Sequence, residues 1–180
     1  MDGEPYIVAG TGSRSFMPTG PVTTALHRYV QEQQVAHPDL ELMSGMAEGW
    51  DEFIARTGIE MGVPFHAAVP NRGYGLYYWG RHSQTGQDRL DQFEWLLSKA
   101  KTVTYVCPSL YVDGVHANFV RNGYLVAHGN SFAVYNPQSR GTAECFTRIK
   151  QARKPYAIFA PDGTVITGTA ADKDVPGLFG

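Results

Sequence analysis

The stretch LELMSGMAEGWDEFIARTGIEMGVPFHAAVP, residues 40–70, contains two short apolar runs separated by an amphipathic segment. The apolar runs predict strands over 40–44 and 63–70. The amphipathic segment predicts a helix over 50–62, because acidic residues lie in its first turn and a glycine lies at its end. A strand, a helix and a second strand in this order are typical of a parallel βαβ unit.

The same alternation continues on both sides of this unit. We expect further strands over 5–10, 102–107, 131–136 and 155–160, and helices over 21–36, 87–100, 116–129 and 142–152. Because the strands are apolar on both faces, they predict a mostly parallel sheet covered by helices on both sides. This is an α/β fold, a Rossmann-like three-layer sandwich. Residues 161–168 predict a small edge hairpin.

The chain of 180 residues predicts one domain over 1–180, with its core over about 5–160 and the edge hairpin and a tail over 161–180. Hydrophobic residues make up 43% and charged residues 18%, which is typical of a globular protein. The net charge of −2 argues against a global electrostatic attraction to nucleic acid. No apolar run approaches the roughly 20 residues that span a bilayer, and the amino terminus does not resemble a signal peptide. We therefore expect a cytoplasmic protein with no membrane partner.

The two cysteines, Cys107 and Cys145, are far apart in the sequence and have no metal-ligand spacing. We expect free thiols in a reducing cytoplasm, with neither a disulfide nor a metal site. Cys145 lies in the first turn of a predicted helix, whose dipole lowers the pKa of a thiol and so favours a nucleophile. The adjacent Glu144 opposes that effect.

Three loops follow strands of the predicted sheet, and open α/β sheets bind ligands outside the carboxyl ends of their strands. The first loop contains Gly10, Thr11, Gly12, Ser13 and Arg14. Its glycines allow backbone amides to approach an anion, its hydroxyls can donate hydrogen bonds, and its arginine can bind phosphate through two nitrogens. A flexible turn is the alternative interpretation. The loop lacks the GxGxxG fingerprint of dinucleotide sites, so no cofactor is predicted.

The second loop contains Ser44, Gly45, Met46, Gly49 and Asp51 and leads directly into a predicted helix. Its small residues suit a close approach of the backbone to a ligand, and the helix N-terminus presents free N–H groups. Asp51 can hold a ribose hydroxyl, as acids do in other nucleotide sites. A favourable interaction with the first helical turn is the equally supported alternative.

The third loop leads into the predicted helix over 142–152. Gly141 makes room for an anion, and Thr142 with the helix N-terminal amides can hold a phosphate. Glu144, one turn further on, can reach past that anion or simply favour the helix dipole. Arg121 and Asn122 interrupt the apolar pattern of the preceding helix, either on its polar face or towards a ligand.

Together these segments resemble the SLOG superfamily over about residues 6–160. Residues 45–55, GMAEGWDEFIA, are similar to the GMAxGxDxxxA loop of its YpsA-like branch. Residues 121–130, RNGYLVAHGN, are similar to the RNxYMVDxSD segment of the same branch. The resemblance implies a Rossmann-like fold.

A second similarity is to the LOG enzymes, nucleoside 5′-monophosphate phosphoribohydrolases that pair an arginine on one helix with a PGGxGTxxE motif. Arg121 matches the arginine, and Gly141 and Thr142 match part of the motif within NPQSRGTAE, residues 136–144. Glu144 follows Thr142 by two residues instead of three, and this offset turns its carboxylate by about 100° around the helix. The resemblance implies that Arg121 positions the ribose or phosphate and that Glu144 assists cleavage of the N-glycosidic bond, with no metal.

The predicted ligand is therefore a nucleotide or a nucleotide-derived small molecule, and cleavage is an even question. One alternative is a module that senses or sequesters a nucleotide signal, such as an ADP-ribose-like molecule, without turnover. Since related folds often place an aromatic or helical face in a dimer, we expect a homo-oligomer.

Single-stranded DNA binding is a further alternative, by similarity to the DNA-uptake branch of the superfamily. An aromatic loop over 72–81 offers rings that can stack on bases and arginines that can contact phosphates. These residues are Arg72, Tyr74, Tyr77, Tyr78, Trp79 and Arg81. Nucleic acid is the less favoured partner, because the net charge is negative and loop aromatics more often cover a pocket or a dimer contact.

Overall fold

The computed structural model describes residues 3–79, 87–107 and 114–169. The strands within them are β1 (Ile7–Gly12), β2 (Glu41–Ser44), β3 (Phe65–Val69), β4 (Thr102–Tyr105), β5 (Ser131–Tyr135), β6 (Tyr156–Phe159) and β7 (Val165–Gly168). The helices are α1 (Gly20–Ala36), α2 (Trp50–Met61), α3 (Gln87–Lys99), α4 (Gly114–His128) and α5 (Arg140–Gln151), and a π-helical turn spans Gly75–Trp79.

The strands form one sheet in the order β4-β3-β2-β1-β5-β6-β7. All neighbouring strands are parallel except β6 and β7, which pair antiparallel. The predicted α/β, Rossmann-like fold and its edge hairpin are therefore confirmed. Arg81 of the aromatic loop and most of the predicted tail lie outside the described residues.

Helices cover both faces of the sheet, and successive strand residues point to opposite faces. Val8 and Ala133 belong to a hydrophobic cluster that includes side chains of α1, α2 and α3. Their neighbours Ala9 and Val134 belong to a second cluster, which includes side chains of α4 and α5. The strands are buried on both sides for this reason, as their apolar sequences predict.

Several predicted boundaries differ from the structure by two residues, and two of these differences lie beside the candidate site. β1 was expected to end at Gly10, but it continues through Gly12 because Thr11 and Gly12 still pair with β5. Helix α5 was expected to begin at Thr142, but it begins two residues earlier at Arg140. The first two glycines of the predicted anion loop are therefore strand residues.

Helix α2 packs unusually close to β1 because β1 carries glycines where the two elements meet. A Cβ atom at Gly10 would overlap Cγ1 of Ile54, and a Cβ atom at Gly12 would lie 2.5 Å from Cβ of Trp50. The Trp50 side chain is fully buried, and its Nε1–H donates to the carbonyl of Ala133 at 3.0 Å. These contacts fix the N-terminus of α2 at the carboxyl end of β1.

Substituting Gly10 by Ala is expected to destabilise the protein by about 1–3 kcal/mol, because the added methyl group collides with Cγ1 of Ile54 and overpacks the interface. Urea denaturation monitored by tryptophan fluorescence measures the change in the free energy of unfolding. The matched control is Gly20→Ala, at a position with no atom within 4 Å, which should change stability by less than about 1 kcal/mol. Equal stabilities for the two variants would contradict the proposed helix–strand contact.

Candidate functional site

A cavity of about 460 Å³ opens at the carboxyl ends of β1 and β5. Strands β2, β3 and β4 lie in sequence order on one side of β1, and β5 pairs with the other side of β1. The cavity therefore lies at the topological switch point, where open α/β sheets bind ligands. Its lining residues are Thr11, Gly12, Ser13, Arg14, Ser15, Ala47, Asp51, Asn118, Phe119, Arg121, Asn122, Ser139, Arg140, Gly141 and Thr142.

The first predicted loop contributes most of its residues to this lining. Thr11 and Gly12 do so from the end of β1, and Ser13 and Arg14 from the turn that follows. Ser13 is buried, whereas Arg14 is exposed. Gly10 lies outside the lining, because it is deeper in the strand and provides space for helix α2.

The second predicted loop is held together by its own polar groups. The Ser44 hydroxyl donates to the carbonyl of Asp51 at 2.7 Å and accepts from the amide of Met46 at 3.1 Å. Met46 has a positive φ of 60°, and its carbonyl accepts a hydrogen bond from Trp79 Nε1 at 2.8 Å. Within this loop, only Ala47 and Asp51 line the cavity.

The glycines of the second loop allow close packing rather than backbone contact with a ligand. A Cβ atom at Gly45 would lie 2.6 Å from Oδ2 of Asp51. Gly49 has a φ of 82°, and a Cβ atom there would lie 2.5 Å from the carbonyl oxygen of Ser13. Both positions therefore require glycine to let the loop contact its neighbours.

A buried ion pair forms part of the cavity wall. Arg121 is 7% exposed and Asp51 is 3% exposed, and Arg121 Nη1 lies 3.5 Å from Asp51 Oδ2. Arg121 also donates to the carbonyl of Gly45 and, through Nε, to Asn122 Oδ1 at 3.1 Å. The arginine thus connects α4 to the start of α2, and it lines the cavity instead of extending into solvent.

Burial raises the pKa of the Asp51 carboxyl. The positive charges of Arg121 and Arg14 and a hydrogen bond from the Ala47 amide act in the opposite direction without cancelling the effect of burial. Among the ionisable side chains of the lining, three are arginines, Arg14, Arg121 and Arg140, and one is the Asp51 carboxyl. The cavity is therefore suited to an anion.

The N-terminus of helix α5 faces the same cavity without a side-chain cap. Ser139 occupies the N-cap position, but its side chain accepts no hydrogen bond from the first-turn amides. Its hydroxyl donates instead to Oγ1 of Thr142 at 2.7 Å. The first turn of the helix, which includes Gly141, thus presents N–H groups at the cavity, and such groups bind phosphate well.

Glu144 lies beside the cavity but is not one of its lining residues. Its Oε2 accepts a hydrogen bond from Asn122 Nδ2 at 2.7 Å, and its Oε1 accepts one from Arg148 Nε. Since Asn122 is also bonded to Arg121, a single amide connects the two residues that the LOG resemblance pairs. In this arrangement both carboxylate oxygens already have partners.

Several lining residues escaped the sequence analysis. Asn118 and Phe119 precede Arg121 and Asn122 by about one turn of α4, so helical spacing could have identified them. The Asn118 Oδ1 atom is buried and has no hydrogen-bond partner among the described residues. A buried polar atom of this kind needs a partner, and a ligand in the cavity can supply one.

Arg140 and Ser15 lie within the predicted loop segments, residues 136–144 and 10–15, but neither was predicted to bind the ligand. Cys145 is fully buried, and burial raises the pKa of its thiol to about 12. The interpretation of Cys145 as an activated nucleophile is therefore wrong, because a buried thiol with so high a pKa stays protonated.

The aromatic loop next to the cavity is largely part of the core. Tyr74 is 1% exposed and Trp79 is fully buried, so neither ring can stack on a base. Tyr77 is 62% exposed, and the Arg14 guanidinium lies 4.7 Å from the centre of the Tyr78 ring. Among the described tyrosines and tryptophans of the loop, Tyr77 is the exposed one.

Comparisons with known proteins identify the fold. No protein-family model matches the sequence, and no curated protein matches it. The X-ray structure of DNA processing protein A (DprA) from Streptococcus pneumoniae superimposes with a TM-score of 0.63 and 15% identity, covering 88% of this chain and 52% of that chain. DprA from Helicobacter pylori, in a structure concerned with its single-stranded DNA binding mode, superimposes with a TM-score of 0.62 and 14% identity, covering 86% and 65%.

These likenesses show a Rossmann-like fold, and the chain spans about half to two thirds of the length of the two DprA structures. Within residues 3–79, 87–107 and 114–169, none of the helices has the length and apolar character needed to cross a membrane. In the same part of the chain, no group of three or more His, Cys, Asp or Glu side chains is arranged to hold a metal ion.

Substituting Arg121 by Met is expected to cost about 3–5 kcal/mol of stability at pH 7.5, because the Asp51 carboxylate is left buried without the cation that pairs with it. The loss should shrink as the pH falls. Burial raises the pKa of the Asp51 carboxyl. In the folded protein this carboxyl is therefore still protonated at pH values where it is already ionised in the unfolded chain. The protonated carboxyl needs no cation, so the variant recovers stability below the raised pKa.

Urea denaturation at pH 4.5 and pH 7.5 measures this dependence. The double variant Arg121→Met/Asp51→Asn is the control, since it carries no buried carboxyl and should lose the additional pH dependence. A loss of stability that is the same for the single variant at both pH values would contradict the assignment of Asp51 as the titrating partner.

Proposed function

We propose that the cavity binds the phosphate group of a nucleotide or of a nucleotide-derived small molecule. The observation that carries this proposal is the uncapped N-terminus of α5, which faces the cavity beside Arg14, Arg121 and Arg140. Free helix amides and guanidinium groups recognise phosphate oxygens, and the N-terminal dipole adds to the attraction.

The remainder of the cavity suits the nucleoside. Its volume of about 460 Å³ is in the range of small-molecule sites. Phe119 and Ala47 offer apolar surface to a base or a sugar, and the unpartnered Asn118 Oδ1 can accept a hydrogen bond from either. The buried Arg121–Asp51 pair fixes one wall of the cavity, so the site is largely formed before a ligand arrives.

Two forms of this function are distinguished by Glu144. The hydrogen bonds from Asn122 and Arg148 hold its carboxylate outside the lining, which supports binding without turnover, as in a nucleotide sensor or a sequestering protein of YpsA-like type. The second candidate is N-glycosidic cleavage of LOG type. It is favoured by the chain of hydrogen bonds from Arg121 through Asn122 to Glu144, which brings the two motif residues together.

Single-stranded DNA is the less favoured ligand, although the Helicobacter pylori DprA structure concerns the binding of such a strand. In this chain Tyr74 and Trp79 are buried, so the aromatic loop has few rings to stack on bases. The net charge of −2 also weakens the long-range attraction to a polyanion.

Arg14→Ala and Arg140→Ala are each expected to weaken the binding of a nucleoside monophosphate about 10- to 100-fold, since each removes a charge-assisted hydrogen bond to phosphate. Isothermal titration calorimetry with AMP, GMP, CMP and UMP identifies the ligand and then measures the change in Kd. Both side chains are exposed, so the folded state should be unaffected.

Arg28→Ala is the matched control, because Arg28 is an exposed arginine on α1 outside the cavity lining. It should leave the affinity unchanged. If all three variants bind the nucleotide equally well, the phosphate is not bound in this cavity and the proposal fails.

Incubation with the same four monophosphates separates binding from cleavage. We expect chromatography to show bound nucleotide that is recovered intact, because the Glu144 carboxylate is held by Asn122 and Arg148. Release of free base that is lost in Glu144→Gln would instead establish the phosphoribohydrolase. Glu94→Gln, at an exposed acid on α3, is the control and should leave any such release unchanged.

A further inference from the structure

A second cavity of about 510 Å³ adjoins the first and shares two residues with it, Arg14 and Ser15. Its opposite wall comes from the first turns of α2 and from Arg89 on α3. The two cavities therefore lie on either side of a short ridge, formed by Arg14 and Ser15, that follows β1.

The ridge is held firmly against helix α2. The carbonyl of Ser13 accepts hydrogen bonds from the amides of Trp50 at 3.2 Å and Phe16 at 3.3 Å. The Ser15 amide donates to the Ser13 hydroxyl at 3.2 Å. A phosphate bound at Arg14 and Ser15 would thus rest on a fixed support, with open space on both sides of it.

The second cavity differs chemically from the first because it contains carboxylates. Arg89 donates to Glu48 Oε1 through Nε at 3.0 Å and through Nη2 at 2.9 Å, and it also reaches Glu52 Oε2 at 2.9 Å. Glu48 Oε2 has no hydrogen-bond partner among the described residues, so it can accept from a ligand. Met17 and Pro18 supply exposed apolar surface in the same cavity.

A sugar matches these features better than a second phosphate does. Carboxylate oxygens accept hydrogen bonds from sugar hydroxyls, as acids do with ribose, while the C–H faces of a sugar ring pack on apolar side chains. A second phosphate would have to displace Glu48 or Glu52 from Arg89 and Arg56, which already donate hydrogen bonds to these carboxylates. The second cavity offers a nucleobase little aromatic surface on which to stack, because Phe53 is only 9% exposed.

We propose that the two cavities form one site for a sugar nucleotide, a nucleoside diphosphate that carries a second sugar. The nucleoside occupies the first cavity, the diphosphate crosses Arg14 and Ser15, and the terminal sugar lies beside Glu48 in the second cavity. This inference rests on the proposed nucleotide binding and specifies the class of ligand.

Calorimetric titration of the full chain with AMP, ADP, ADP-glucose and ADP-ribose tests the inference. We expect at least one of the two sugar nucleotides to bind about 10-fold more tightly than ADP, because only it occupies the second cavity. Glu48→Gln should remove that advantage and leave the Kd for ADP unchanged. Glu60→Gln, an exposed acid near the other end of α2, is the control and should change neither affinity.

A second variant keeps the test valid if loss of the Glu48–Arg89 pair disturbs folding. Met17 lines the second cavity and is 76% exposed, so Met17→Trp narrows the cavity without altering the core. This variant should also lose the preference for the sugar nucleotide and keep the affinity for ADP.

The possible failures can be told apart. If ADP binds and neither sugar nucleotide binds more tightly, the inference is overturned while nucleotide binding stands. If no nucleotide binds, both are overturned. If oligo(dT) displaces ADP and binds more tightly than the sugar nucleotides, with an affinity that falls steeply with salt, the two cavities hold successive nucleotides of a strand and the inference is again overturned.

Discussion

Helix α2 can reach strand β1 only because Gly10 and Gly12 carry no side chains, and the candidate site depends on that close approach. Trp50 fills the space at the start of the helix and anchors it by donating to the carbonyl of Ala133 on β5. The first turn of α2, with Asp51 in it, is consequently held at the switch point of the sheet. A packing constraint between a strand and a helix thus decides where a carboxyl group lies relative to the cavity.

The buried carboxyl in turn constrains helix α4. Asp51 is fully desolvated, so it requires a nearby cation, and Arg121 supplies one while also binding the carbonyl of Gly45. This pair joins α2, which covers one face of the sheet, to α4, which covers the other, around the edge where the strands end. The arginine therefore contributes to the fold and to the positive potential of the cavity, and its two contributions cannot be separated by a single substitution.

The alternation of apolar runs and amphipathic segments was sufficient to predict the layered fold, because a strand buried on both faces leaves an unmistakable run of apolar residues. It was not sufficient to predict the ends of β1 and α5. Hydrogen bonds to β5 extend β1 through Gly12, and such pairing is invisible in a local pattern. The residue types of the loops predicted a site at the carboxyl edge of the sheet, where the cavity lies. They could not reveal that Gly10 accommodates Ile54 rather than an anion, since both roles require a residue without a side chain.

The position of Glu144 on α5 differs by one residue of spacing from that of the acid in the LOG motif. In the LOG motif the acid follows the threonine by three residues, and here it follows Thr142 by two, which turns the side chain by about 100° around α5. At this position the carboxylate meets Arg148 one turn later on the same helix and Asn122 on α4. Both partners hold the carboxylate outside the cavity lining, whereas an acid that assists bond cleavage must contact the reacting atoms. The first-turn amides of α5 face the cavity independently of Glu144, so the proposed phosphate contact does not depend on this acid.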